Sequence, residues 1–174
     1  MSDVPLDAVF TPFNPRPAAR PARPAAVHPL AQLLAMEARP ERIAVWAPDG
    51  LLQRSLDALF PRAEVFAVGC AAEAAGADAV VLAPTLARRQ PVSASELARL
   101  AAGLPAGGLL AVQQQAMVAP ALVTTAWTAG ASVDPDFEDQ LGATLVPLHR
   151  TEGRRGLGLW REVLWLGRKG QAIR

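Results

Sequence analysis

The sequence predicts one α/β domain of three layers, in which a mostly parallel sheet is closed by a C-terminal antiparallel hairpin. Short apolar runs alternate with segments of helical periodicity, and strands buried on both faces of a parallel sheet have that apolar character. The last two apolar runs are separated by a polar turn and no helix, which is typical of a hairpin. With 174 residues, 51% of them hydrophobic, the chain can bury one sizeable core. We expect this domain at residues 28–174, after an N-terminal arm at residues 1–27.

The arm is rich in proline, alanine and arginine. Its six prolines remove backbone donors and favour extended chain, so we expect the arm to be disordered or extended in isolation. A purely solvating tail needs no apolar anchors, but three are present, together with three arginines. The candidate partner-binding residues of the arm are therefore Val9, Phe10, Phe13, Arg16, Arg20 and Arg23. An arm that becomes ordered on binding can cover a large partner surface without a core of its own.

The first half of the domain predicts a helix, a strand, a second helix and a second strand. Their expected bounds are, in that order, residues 28–38, 42–47, 51–60 and 62–68. His28 opens the first helix, where a lone histidine is expected to be a surface or capping residue. A tight Pro48-Asp49-Gly50 turn follows the first strand. This order of elements is a Rossmann-like layout, whose ligand lies over the carboxyl ends of the strands.

Residues 77–115 predict the centre of the sheet. Residues 79–83 form a short apolar run suited to a buried strand, and Ser93 or Ser95 can cap the helix that follows. A Pro-Gly-Gly turn ends this helix before a second buried strand at residues 109–112, so the unit is a right-handed crossover.

This central stretch resembles the fourth strand, following helix and fifth strand of class I S-adenosylmethionine-dependent methyltransferases. The residues that carry the resemblance are Leu97, Leu100, Leu104, Pro105, Gly107, Gly108, Leu109 and Leu110. Residues 61–69, PRAEVFAVG, are similar to the family's second strand. The family places a helix, a strand and another helix after that strand, whereas residues 70–76 have room for about two helical turns. The resemblance therefore implies a truncated methyltransferase-like fold that lacks one sheet edge.

The cofactor-binding positions implied by the resemblance are degenerate. The family's glycine-rich loop corresponds to a segment in which Asp49 and Gly50 stand beside a proline and bulky leucines. The acid with which the family binds the ribose hydroxyls corresponds to Gly69 and Cys70, which have no carboxylate. Glu73 lies three residues further on, and we expect that it needs an unusual loop to reach the site.

The C-terminal part predicts a helix at residues 117–131 and a solvated helix start at residues 134–139. Two strands are expected at residues 142–148 and 157–166, joined by a polar turn at residues 150–156. His149 is expected to be exposed just before this turn. Both faces of the last strand are partly apolar, which predicts that it lies inside the sheet. Arg154 and Arg155 in the turn are further candidates for partner binding.

The composition of the chain argues against several classes of partner and site. A near-neutral net charge of +1, and the absence of aromatic residues between the arginines at residues 16–23, argue against a nucleic-acid partner. No apolar run approaches the roughly 20 residues that span a bilayer, and the N-terminus lacks the layout of a signal peptide, so a cytoplasmic location is expected. Because Cys70 is the only cysteine, an internal disulfide and a cysteine metal cluster are excluded.

These observations favour a non-catalytic methyltransferase-like domain that binds a protein, as an assembly subunit of a larger complex or as a homo-oligomer. No cofactor is expected in that case. The alternative is a divergent S-adenosylmethionine-dependent methyltransferase acting on a small molecule or a protein. Methyl transfer depends mostly on positioning, so it requires few fixed side chains. Because an exposed strand edge invites pairing, we also expect the arm or another chain to cover the strand at residues 62–68.

Overall fold

The computed structural model describes residues 26–46, 49–83, 92–117, 136–155 and 160–170. Its helices are α1 (Pro29–Glu37), α2 (Gly50–Leu59), α3 (Ala94–Gly103) and α4 (Phe137–Gly142), with a 3₁₀ turn at Ala71–Ala74. Its strands are β1 (Arg42–Trp46), β2 (Glu64–Val68), β3 (Ala79–Leu82), β4 (Leu109–Met117), β5 (Leu145–Arg155) and β6 (Trp160–Lys169). Within this part of the chain, no helix is long and apolar enough to cross a membrane.

The strands form one six-stranded sheet in the order β2-β1-β3-β4-β6-β5. The first four strands are parallel, whereas β6 is antiparallel to both β4 and β5. The predicted fold class is confirmed, including the position of the last strand inside the sheet. The truncation is confirmed as well, because β2 stands at the edge and only a 3₁₀ turn separates it from β3.

The two faces of the sheet bury two separate apolar clusters. Ile43 and Val45 of β1 point to the cluster beneath α1 and α2. Ala44 and Trp46 of the same strand point to the cluster beneath the 3₁₀ turn, α3 and α4. This alternation within one strand produces the three layers, because a central parallel strand buries side chains on both faces.

Side-chain caps fix where the longer helices begin. Asp49 caps α2 by accepting a hydrogen bond from the Leu52 N–H at 2.6 Å, and Ser93 caps α3 through the Glu96 N–H. His28 caps α1 through its Nδ1, as predicted, but it is 5% exposed and therefore not a surface residue. Its own N–H donates to Ser55 Oγ at 2.9 Å, which joins the start of α1 to α2. Each cap satisfies a helix N–H that otherwise has no partner within the helix.

The Pro-Gly-Gly turn between α3 and β4 requires its glycines. Gly107 has a φ of +82°, in the left-handed region, and its N–H donates to the Lys169 carbonyl at 3.0 Å. A Cβ on Gly108 would lie 2.9 Å from the Pro105 carbonyl oxygen, which is too close. The turn thus helps to set the register in which β4 pairs with β6.

Several expected boundaries were wrong. The polar segment 150–156 is not a turn, because β5 continues to Arg155 and pairs with β6 up to Trp160. His149 accordingly lies within a strand, half-buried, and not at a strand end. Met117 ends a strand and does not begin a helix. Residues 70–76, which have room for about two helical turns and no strand, contain one short 3₁₀ turn at Ala71–Ala74. The helix start at Asp136 is confirmed.

Other expectations fall outside the described residues. These are the arm as far as residue 25, the helix expected at residues 118–131, and the turn residues 47 and 48.

Candidate functional site

The sheet topology defines a crevice at the carboxyl ends of β1 and β3. From β1 the chain crosses through α2 to β2 on one side, and from β3 it crosses through α3 to β4 on the other. The two helices lie on opposite faces of the sheet. Such a reversal of strand order leaves a gap between the two connections, and ligands of open α/β sheets bind there. The candidate site is this crevice.

The start of α2, which follows β1, differs from a glycine-rich backbone cradle for a ligand. Asp49 is exposed, but its carboxylate is engaged in capping α2. A Cβ on Gly50 would meet only the end of the Arg54 side chain, at 3.3 Å, so the fold does not demand glycine there. Leu51 is half-buried, and Leu52 is buried on the side of α2 that faces the sheet. This part of the crevice therefore has helix-capping chemistry in place of a glycine-rich loop.

Glu73 brings a carboxylate to the carboxyl end of β2. The 3₁₀ turn at Ala71–Ala74 folds back, so that Glu73 Oε2 accepts a hydrogen bond from the Gly69 N–H at 2.6 Å. A Cβ on Gly69 would lie 3.6 Å from this oxygen. The carboxylate thus occupies the space into which an acidic side chain at position 69 would extend. This tight turn is what returns Glu73 to the end of β2.

The neighbouring Cys70 is half-buried with a free thiol. Among the described residues, no group of histidine, cysteine and acidic side chains could hold a metal ion.

A buried polar cluster flanks the crevice on β4 and β6. It consists of Gln113, Gln115 and Glu162, whose side chains share the α1 and α2 face of the sheet. Glu162 is only 6% exposed, and its Oε1 accepts hydrogen bonds from the side-chain amides of Gln113 and of Gln115, the latter at 3.2 Å. The last residue of β4 that pairs with β3 is Val112, so the cluster begins just beyond the end of β3.

Sequence analysis missed this cluster. The available signals were the three consecutive glutamines that follow an apolar strand and the single acid on the inward face of the last strand.

The opposite face of the β5–β6 hairpin carries surface ion pairs. Glu152 accepts from Arg161 at 2.7 Å and from Arg150 at 3.1 Å, and Glu138 of α4 accepts from Arg150 at 2.7 Å. The hydrogen bonds from Arg161 and Arg150 lower the pKa of Glu152, and those to Glu138 and Glu152 raise the pKa of Arg150. Arg154 is exposed on β5, and Arg155 pairs with Trp160 in the sheet. These charges order the hairpin at its surface.

Comparison with solved structures identifies the fold. The N-methyltransferase NodS from Bradyrhizobium japonicum superimposes with a TM-score of 0.52 at 13% identity, over 82% of this chain and 93% of that chain. Human N-acetylserotonin methyltransferase, in complex with S-adenosylmethionine, gives a TM-score of 0.52 at 13% identity, over 81% and 52%.

An O-methyltransferase family 2 protein from Planctomyces limnophilus gives a TM-score of 0.53 at 15% identity, over 80% and 56%. The chain thus covers just over half of the two longer neighbours. No family model and no curated protein sequence matches. The chain has the fold of class I S-adenosylmethionine-dependent methyltransferases, which confirms the resemblance at the level of fold.

Proposed function

We propose that this chain is a divergent S-adenosylmethionine-dependent methyltransferase acting on a small molecule or a protein. The observation that carries the proposal is the Glu73 carboxylate at the end of β2, held by the Gly69 N–H at the side of the crevice. The structural neighbours add support, since one is a complex with S-adenosylmethionine and another contains S-adenosylhomocysteine.

The proposed role of Glu73 is to hold the ribose of the cofactor. An ionised carboxylate only accepts hydrogen bonds and has lone pairs enough for two ribose hydroxyls as well as the Gly69 N–H. S-adenosylmethionine supplies an activated methyl group when bound, and the protein contributes mainly the positioning of that group against a nucleophile. The residues present thus fit the ribose part of the cofactor.

The buried cluster of Gln113, Gln115 and Glu162 supports a polar acceptor site. It lies beside the same crevice and combines amide groups with a carboxylate within one water-poor surrounding. Binding pockets typically pair an apolar lining with a few convergent polar groups, which fix the orientation of the ligand. In this proposal the cluster orients the methyl acceptor.

The second candidate is a non-catalytic assembly subunit that binds a protein. The observation that favours it is the crevice wall after β1, where an Asp49-capped helix with bulky leucines replaces a glycine-rich loop. Its partner-binding residues would be those of the arm together with Arg154 and Arg155.

Calorimetric titration of the full chain with S-adenosylmethionine and S-adenosylhomocysteine separates the two functions. Binding at about micromolar strength, near −8 kcal/mol, is expected for the methyltransferase. Glu73→Gln should weaken it roughly tenfold, because a charge-assisted acceptor becomes neutral. Glu64→Gln is the matched control, because Glu64 is an exposed glutamate at the amino end of β2, away from the crevice, and this variant should bind as the original chain does. Absence of heat at millimolar ligand would overturn the enzyme proposal and leave the assembly subunit.

A further inference from the structure

The edge strand β2 offers hydrogen-bonding groups away from the sheet. Within the described residues it pairs with β1 alone. The Glu64 N–H donates to the Glu41 carbonyl at 2.8 Å, so the peptide groups of Glu64, and by alternation those of Phe66 and Val68, point toward β1. The peptide groups of Val65 and Ala67 consequently point outward.

β2 has few of the features that usually protect an edge strand, since its only charged residue is Glu64 at the first position. The strand EVFAV contains no lysine and no proline, and its register with β1 is regular, without a bulge. Ala67 is exposed, and Val65 and Phe66 are half-buried. Natural sheets protect exposed edges by charges, prolines or bulges because an open ladder invites another strand. The composition of β2 is that of a strand with a partner.

We propose that β2 pairs antiparallel with β2 of a second copy of this chain, across a two-fold axis at Phe66. In this register Val65 of one copy is opposite Ala67 of the other, and these are the two residues whose peptide groups point outward. Each such pair exchanges two hydrogen bonds, which gives four across the interface. A two-fold interface requires a self-complementary surface, and the outward groups of β2 are arranged symmetrically about Phe66.

Charge at the two ends of the strand is complementary in the same register. Arg62 of one copy is opposite Cys70 of the other, next to the Glu73 carboxylate that is held at Gly69. Arg62 and Glu73 are both exposed and are therefore available to pair between copies. The symmetry generates this ion pair twice. Charge complementarity fixes register more than it adds affinity, so the pairs select this alignment over one shifted by two residues.

The pairing makes a continuous twelve-stranded sheet from two six-stranded ones. A strand pair of this length buries little area, which places the dimer among weak, concentration-dependent associations. The backbone pairing does not depend on the proposed methyl transfer, because its hydrogen-bonding groups face away from the crevice. The ion pair does share a residue with it, since the Glu73 carboxylate is also the group proposed to hold the ribose.

Sedimentation of the full chain over a wide concentration range tests the dimer. The expected result is a monomer–dimer equilibrium whose dissociation constant rises roughly tenfold or more in Ala67→Pro, since proline removes an outward donor without disturbing the β1 ladder. Ala67→Ser keeps that donor and is the matched control. A monomer at every concentration, or a dimer that is unchanged by Ala67→Pro, would overturn the proposal.

Two further variants test the register. Arg62→Glu should weaken the dimer, and adding Glu73→Arg should restore it by reversing both charges. Phe66→Cys in a Cys70→Ser background should form an intermolecular disulfide on oxidation, because directly opposed residues of a non-hydrogen-bonded pair have Cα atoms about 4.5 Å apart. Protection of the Val65 and Ala67 amides from hydrogen exchange in a monomer would show that the arm covers β2, and the dimer would be ruled out.

Discussion

The ring of Trp165 lies against Gly167, two residues further along β6. A Cβ on Gly167 would lie 2.8 Å from two ring carbons of this tryptophan. Trp165 is only 2% exposed, so its ring is packed on all sides and has no free space to move into. Trp165 also packs edge-on against Phe137 of α4, with ring centroids 6.0 Å apart. The missing side chain at position 167 therefore makes room for the contact that holds α4 on the sheet.

Gly167→Ala is expected to destabilise the fold by about 1–3 kcal/mol, because the tryptophan must leave its position or distort the strand. Gly153→Ala on the neighbouring strand is the control, since a Cβ there meets nothing within 4 Å. Chemical denaturation of both variants measures the difference. Equal stability of the two variants would contradict the packing argument.

Glu152 gives the hairpin an acid-dependent stabilisation. Hydrogen bonds from Arg161 and Arg150 hold its pKa below the ordinary value of 4.5. A carboxyl with a lower pKa in the folded chain stabilises the fold above the unfolded pKa, and this contribution is lost as the pH falls through the folded pKa.

The thermal midpoint of the original chain should therefore fall more steeply on acidification from pH 7 than that of Glu152→Gln. The difference is small because the group is exposed, and it should shrink further at high salt. Parallel thermal melts at several pH values and two salt concentrations measure it. A steeper fall in the variant would show that the sign is wrong.

Among the helices, α2 depends on its cap more than on its composition. It begins with Gly50, has no acid in its first turn, and has one side-chain cap, the Asp49 bond to the Leu52 N–H. Asp49→Ala should cost about 1 kcal/mol, whereas Asp49→Asn, which keeps an acceptor, should cost little. Urea titration of both variants measures this. If the alanine variant is as stable as the asparagine variant, the cap contributes nothing.

The elements differ in how far the sequence could predict them. Buried strands such as β3 and β4 are predictable because they contain short apolar runs, which are typical of strands buried on both faces of a parallel sheet. The β5 segment from Arg150 to Arg155 has the composition of a turn, with Gly153 among polar residues, but it forms a strand. Its charges in fact alternate with period two, and the cross-strand Arg161 makes that alternation a ladder of ion pairs.

The candidate site was predictable in position but not in its residues. The crevice follows from the order of strands and helices alone. Glu73 could not be assigned, because its place beside Gly69 depends on a single 3₁₀ turn that returns the chain on itself. Glu162 and Gln113 are 49 positions apart and meet only through the antiparallel register of β4 and β6. Contacts of that kind are set by tertiary pairing, which one sequence read locally does not reveal.

At the scale of the whole molecule, contacts within the domain fix where the domain starts. His28 caps α1 through its side chain and binds Ser55 of α2 through its backbone, so the first helix is anchored by residues of the domain itself. A chain that begins at Ala26 should therefore unfold cooperatively, with a midpoint within about 2 °C of that of the full chain. Calorimetry measures this, and a broad or strongly lowered transition would show that the arm is part of the fold.

The same shortened chain distinguishes the two ways of covering β2. Pairing with a second copy needs only residues of the domain, so the dimer should persist at the same dissociation constant. If the arm covers β2 in the full chain, removing it should instead promote association, because a protected edge becomes open.

The position of β6 between β4 and β5 has a consequence for synthesis on the ribosome. The apolar strand β4 pairs on one side with β6 (Trp160–Lys169), which is translated about 50 residues later. At typical elongation rates this interval is roughly 3–10 s, during which β4 has no partner on that side. During this interval the unpaired side of β4 in a nascent chain can contact chaperones or other nascent chains. Slower translation of residues 118–160 should therefore lower the yield of folded protein.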